Sequence, residues 1–146
     1  MGVNQRRMFD SHVLIPGSGS GEVLVLAEPL SLWGGLEPDS GEVIDQRHPN
    51  AGSNVSGKVL LLPAGRGSSS ASSILLEAVR TGKAPVAIIT LESDPILALG
   101  AAVARELYGS APAVLVLEAA DYEQIATGNQ VIVDDRGRVI LDKLLT

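Results

Sequence analysis

Between Lys58 and Leu117 the chain alternates between short runs of strand formers and longer stretches of helical period, and this alternation narrows the possible folds more than any other feature. Lys58-Val-Leu-Leu-Leu-Pro63, Pro85–Leu91 and Ala113–Leu117 are apolar and rich in branched side chains, whereas Ser70–Thr81 and Pro95–Leu107 repeat apolar residues at spacings of three and four. Two strand–helix–strand units in series predict a parallel sheet with right-handed crossovers. Gly82 and Gly109 stand where helix C-caps belong, and Asp94-Pro95 reads as an N-cap followed by an N1 proline.

Both ends of the chain read as β. His12–Ile15 and Glu22–Leu26 are short strands separated by the Gly/Ser turn of residues 16–21. A short helix and turn is expected over Asp121–Gly128, and Gln130–Val133 with Arg138–Leu141 form a hairpin around Asp135-Arg-Gly137. With 146 residues the expectation is one domain, residues 1–10 being a flexible N-terminus. Only 3% of residues are aromatic against 45% hydrophobic, so the core must be built from Val, Leu, Ile and Ala.

Several function classes drop out. A net charge of −6, with no basic cluster beyond Gln5-Arg6-Arg7, argues against a nucleic-acid surface. The chain has no cysteine, which removes disulfides, thiolate nucleophiles and thiolate metal ligands. No metal site is expected. The N-terminus lacks the apolar segment of a signal peptide, no apolar run approaches the roughly 20 residues of a membrane span, and a cytoplasmic protein is expected. The glycines of residues 17–21 precede a strand rather than a helix and lack Gly-Lys-Ser/Thr, so a turn fits them better than a nucleotide loop.

Three stretches hold candidate site residues. The first is Gly65-Arg-Gly-Ser-Ser-Ser70, at the carboxyl end of one strand and the start of a helix, where parallel sheets gather ligands. Its glycines allow close backbone approach, Arg66 can fork onto an anion, and the serines exceed what capping requires. The second is the long Pro/Gly-rich loop 28–41, which holds Ser31 and the only tryptophan, Trp33, beside Gly34 and Gly35. Trp33 either closes the end of a small core or faces a substrate or partner. The third is Asp45-Gln-Arg-His48, whose histidine is either a turn residue or a proton carrier. A serine hydrolase is excluded by the absence of a Gly-x-Ser-x-Gly elbow and of any histidine after Ser68.

The order and spacing of Glu28-Pro-Leu-Ser-Leu-Trp-Gly-Gly35, Pro38-Asp-Ser-Gly41, Gly57-Lys-Val-Leu60, Gly65-Arg-Gly-Ser-Ser69, Gly82-Lys-Ala-Pro85 and Ile96-Leu-Ala-Leu-Gly100 resemble the small subunit of the aconitase X family. The resemblance implies an α/β swivelling β/β/α domain, with a parallel strand–helix–strand core and flanking strands, related to the last domain of aconitase. It also implies a larger partner subunit that carries an iron–sulfur cluster and most of the substrate pocket, this chain binding no cofactor itself. The implied reaction is loss of water from a hydroxy acid, the partner's metal polarising the leaving hydroxyl. Ser68 would take the proton, while Arg66, Gly67 and Ser69 would bind substrate.

Two substrates go with the resemblance, cis-3-hydroxy-L-proline and mevalonate 5-phosphate. The scarcity of cations near the motif beyond Arg66 and Arg47, and the look of the 45–49 stretch, favour the first. A phosphotransfer swivelling domain fits less well, neither histidine standing on a loop after a strand with Thr two residues before it; a non-catalytic interaction module is the remaining alternative.

Overall fold

The structure, a computed structural model, describes residues 3–66 and 70–145. Its main sheet contains eight strands: β1 (Val3–Asp10), β2 (His12–Ile15), β3 (Gly19–Val25), β6 (Val59–Leu62), β7 (Ala87–Thr90), β8 (Ala113–Val116), β9 (Gln130–Val133) and β10 (Arg138–Leu145). A small ribbon of β4 (Leu36–Glu37) and β5 (Glu42–Val43) lies within the long loop. The helices are α1 (Ser70–Arg80), α2 (Pro95–Tyr108) and the single turn α3 (Ala119–Tyr122). Among the described residues, no helix is long and apolar enough to cross a membrane.

Strand order is β1-β10-β9-β3-β6-β7-β8-β2. The two outermost strands are consecutive, separated by Ser11 alone, so one bent stretch of chain borders the sheet on both sides and closes it. Ser11 fixes that corner, with both its N–H and its Oγ donating to the Gly137 carbonyl, at 3.1 and 2.6 Å. Strand β3 turns the opposite corner: residues 19–22 pair antiparallel with β9, and Val23–Val25 pair parallel with β6. Parallel pairing then runs from β6 through β7 to β8, as the alternation predicts.

Burial divides along the strands with period two. Val59, Leu61, Ala87, Ile89, Ala113 and Leu115 face the inside of the closed sheet, where they meet Val131, Val133, Val139 and Leu141. Leu60, Leu62, Ile88 and Val114 face outward and are covered by Ala71 and Leu75 of α1 and Leu97 and Ala101 of α2. Strands buried on both faces explain why β6, β7 and β8 read as unbroken apolar runs. Two layers of β under one layer of helix match the expected β/β/α arrangement.

The helices lie close together because Gly100 allows it. A Cβ there would stand 3.1 Å from the Ser72 carbonyl oxygen, and Ser72 Oγ donates to the Ile96 carbonyl at 2.8 Å. The predicted caps are present. Asp94 Oδ1 accepts from the N–H groups of Ile96 and Leu97, and Gly109 takes the left-handed conformation beyond α2.

Two expectations need correction. Residues 1–10 are not a flexible N-terminus from Val3 onward: Val3–Asp10 pairs residue for residue with β10, from Val3 against Leu145 to Asp10 against Arg138. Phe9 goes into the core while Met8 stays exposed, so backbone pairing and one buried ring hold a strand that has little apolar alternation of its own. The late helix also starts earlier than predicted, at Ala119, and lasts one turn before Ile125 folds into the core.

Candidate functional site

A cleft of about 190 Å³ opens at the carboxyl ends of β6 and β7. Residues 64–66, which follow β6, form one wall, and Glu92-Ser-Asp-Pro95, which follows β7, forms another. Leu30 and Leu32 of the long loop close a third side, and Ala71, Ile96 and Leu97 line the floor. The amino-terminal ends of α1 and α2 both reach the cleft, through Ala71 of the first and Pro95, Ile96 and Leu97 of the second, and at α2 the Ile96 and Leu97 N–H groups are held by the Asp94 carboxylate. Arg66, Glu92 and Ser93 are exposed at the rim.

The walls are held by main-chain contacts. Leu30 forms an isolated parallel bridge with Gly65, and Arg66 N–H donates to the Leu30 carbonyl at 3.1 Å. That bridge brings the 28–36 loop, with Ser31 and Trp33, to the segment of Gly65 and Arg66. Gly65 faces the α2 cap: a Cβ on it would lie 2.2 Å from Asp94 Oδ2, a separation no real pair of atoms shows. Only glycine lets strand and cap approach so closely. Gly35 is constrained in the same way, a Cβ there falling 2.1 Å from the Ser31 carbonyl oxygen.

Among the predicted residues, Arg66 lines the cleft. Gly67, Ser68 and Ser69 lie outside the described residues; their neighbours Arg66 and Ser70 are described, and Ala71, one residue further on, lines the cleft with Arg66. Ser31 Oγ donates to the Trp33 carbonyl at 3.2 Å, which tightens the tip of the loop. Gly34 turns the chain with φ near 78°, and the Trp33 ring is left 62% exposed.

His48 is placed differently from the others. It is buried, and both ring nitrogens are engaged: Nδ1 accepts from Asn50 N–H at 3.0 Å, which leaves the proton on Nε2 to donate to the Glu28 carbonyl at 3.0 Å. Asn50 Oδ1 in turn accepts from Ala27 N–H at 2.9 Å. The turn reading therefore describes His48: it clasps the 45–53 segment to the root of the 28–36 loop, and it is absent from the cleft lining.

Glu92, Ser93 and Asp94 line the cleft although the sequence marks the last only as a cap. The signal that points to them is positional. The loop after β7 is the neighbour of the loop after β6 in a parallel sheet, so both arrive at the same edge.

The chain has no cysteine, and among the described residues no group of three or more His, Asp and Glu is placed to hold a metal ion. Iron–sulfur clusters take thiolate ligands, so the residues of this chain do not fit one.

Comparison with known proteins bears on these features. Residues 8–141 match the model of the aconitase X swivel domain. Over 107 residues, 70% of this chain, the sequence is 50% identical to cis-3-hydroxy-L-proline dehydratase of Pseudomonas aeruginosa, of which that segment is 18%. Over 95 residues, 65% of this chain, it is 47% identical to the phosphomevalonate dehydratase small subunit of Methanothermobacter thermautotrophicus, covering 72% of that subunit. The chain thus spans about a fifth of the hydroxyproline dehydratases it matches. A crystal structure of Thermococcus kodakaraensis aconitase X superposes with a TM-score of 0.80 at 32% identity, covering 92% of this chain and 98% of that one. With the family model spanning residues 8–141, and with a solved member superposing over 92% of the chain, the protein belongs to the aconitase X swivel-domain family.

Proposed function

We propose that this chain is the small subunit of a two-subunit cytoplasmic hydro-lyase that dehydrates cis-3-hydroxy-L-proline, with Ser68 as the proton acceptor. The observation that carries the reading is the cleft itself. Arg66 and Ala71, on either side of residues 67–69, both line it, and the two helix N-termini lie beside it.

A serine removes a proton from carbon only as an alkoxide, and an alkoxide needs positive potential around it. The α1 N-terminus and the Arg66 guanidinium supply that potential here. In the proposed step Ser68 takes the proton from the carbon next to the one bearing the hydroxyl. The C–H electron pair becomes the second bond of a C=C unit, and the hydroxyl leaves as water with a proton from the large subunit. Arg66, with the backbone at Gly67 and Ser69, holds the substrate carboxylate. The iron–sulfur cluster is assigned to the large subunit, since this chain has no thiolate to offer. The isolated chain is accordingly inactive.

A second reading, the small subunit of a phosphomevalonate dehydratase, is favoured by one observation: the chain covers 72% of a free-standing small subunit of that name. Co-expression with the large aconitase X subunit of the same organism, followed by assay on both substrates, separates the two readings. Ser68→Ala in the active complex should lower turnover by about 10²–10⁴-fold while leaving the subunits bound. Undiminished turnover removes Ser68 from the mechanism.

A further inference from the structure

The two helices that cover the sheet have different outer faces. α1 turns Ser73 and Arg80 to solvent, with Glu77 paired to Arg80, a normal polar exterior. α2, with the sequence PILALGAAVARELY, is apolar on both sides. Leu97, Gly100, Ala101 and Ala104 are buried against the sheet and α1, while Leu99, Val103 and Leu107 remain 54%, 37% and 61% exposed. These three stand at successive spacings of four, so they form one row along the helix. Arg105 and Glu106 are the only charges on α2, and the Arg105 guanidinium is turned back to donate to the Pro16 carbonyl. A helix that is apolar all round is one that something covers.

We propose that this outer face of α2 is the surface on which the large subunit docks, an inference that rests on the two-subunit part of the function proposed above. Continuity with the cleft identifies the occupant. Pro95, one spacing of four before Leu99, both lines the cleft and begins the row, so a body completing the cleft from outside meets Leu99 next. Across the mouth, Leu32 lines the cleft and the exposed Trp33 follows it. Apolar side chains therefore flank the opening on two sides, as at the core of a protein–protein interface. In the Pseudomonas aeruginosa dehydratase the matching segment is 18% of the chain, so most of that protein lies outside this fold. A second copy of this chain on the same row would stand across the mouth and shut it against the larger partner.

The test uses the full chain with Leu99→Glu, Leu107→Glu and the double variant, and the purified large aconitase X subunit of the same organism. Binding is measured by calorimetry, with circular dichroism confirming the fold. Both leucines are more than half exposed, and Leu99→Ser with Leu107→Ser provide milder variants should a glutamate disturb the helix. Each single substitution should raise Kd about tenfold or more and the double further, whereas Met8→Glu, exposed on strand β1 and outside both the α2 row and the cleft lining, should leave it within twofold. An unchanged Kd in the double variant overturns the assignment. So does failure of the unaltered chain to bind, or self-association that the double variant abolishes without any change in Kd for the large subunit. Binding is read without turnover: a complex that weakens in the variants yet dehydrates neither substrate upholds the docking face and overturns the dehydratase reading alone.

Discussion

Replacing Gly65 with alanine tests whether the cleft depends on one interatomic approach. The new Cβ would fall 2.2 Å from Asp94 Oδ2, with the next neighbours at 3.4 Å or more. The carboxylate cannot simply swing aside, because its other oxygen holds the Ile96 and Leu97 N–H groups at 3.0 and 3.1 Å. Either the cap is lost, or the 64–66 segment moves out and breaks the Arg66–Leu30 hydrogen bond of 3.1 Å. Loss of an N-cap or of one hydrogen bond each costs about 1 kcal/mol, so Gly65→Ala should destabilise by about 1–2 kcal/mol. For a chain of this size that corresponds to a fall in Tm of roughly 3–8 °C.

A double-mutant cycle gives the test its edge. Gly65 does not require a left-handed backbone, so once Asp94→Ala removes the obstructing oxygen, Gly65→Ala keeps only its entropic benefit in the unfolded chain, about 0.4–1 kcal/mol. The substitution should therefore destabilise the natural chain and be neutral or stabilising in the Asp94→Ala background. Denaturant titration of the four proteins measures the coupling. Equal cost in both backgrounds would falsify the account of why glycine stands at 65.

Other outcomes follow from single contacts. His48→Ala orphans the Glu28 carbonyl and the Asn50 N–H, and should cost about 2 kcal/mol; stability should fall while kcat of the saturated complex changes less than threefold, and a larger loss would restore His48 to the chemistry. Burial pushes the Tyr122 phenol up to about 12, and its hydroxyl has no hydrogen-bond partner among the described residues. A raised value means that the neutral phenol favours folding below pH 10 and that this contribution is lost as pH climbs from 10 toward 12. Tyr122→Phe should leave stability at pH 7 equal or higher and remove that alkaline loss; an unchanged alkaline limb in urea titrations counts against it.

Much of the architecture follows from local patterns. Runs such as Val59–Leu62 and Ala87–Thr90 are apolar at every position because both faces are covered, and caps at Asp94 and Gly109 mark their helix in the sequence itself. Strand β1 is illegible for the opposite reason. Gln5, Arg6 and Arg7 offer no apolar face, and the strand exists because β10, more than a hundred residues away, supplies its hydrogen bonds. Residues 36–43 conceal the β4–β5 ribbon in the same way, its strands being two residues each. Of the cleft lining, Gly65 and Arg66 are visible in the sequence through the composition of their stretch and its place after a strand. The contribution of Glu92 and Ser93 is not, because their role comes from the parallel pairing of β6 with β7 and not from any local motif.

The closure of the sheet has a mechanical corollary. Val3 lies opposite Leu145, so the first and last described residues run on adjacent antiparallel strands, on the order of 5 Å apart. Any covalent continuation, whether it enters before Val3 or leaves after Leu145, would attach at effectively one point of an otherwise sealed body. A body tethered at one point can turn about it without stretching either connection. The same adjacency makes the ends joinable by a short loop, so a circular permutant opened in an exposed turn such as Asp135–Arg136 retains all eight strands.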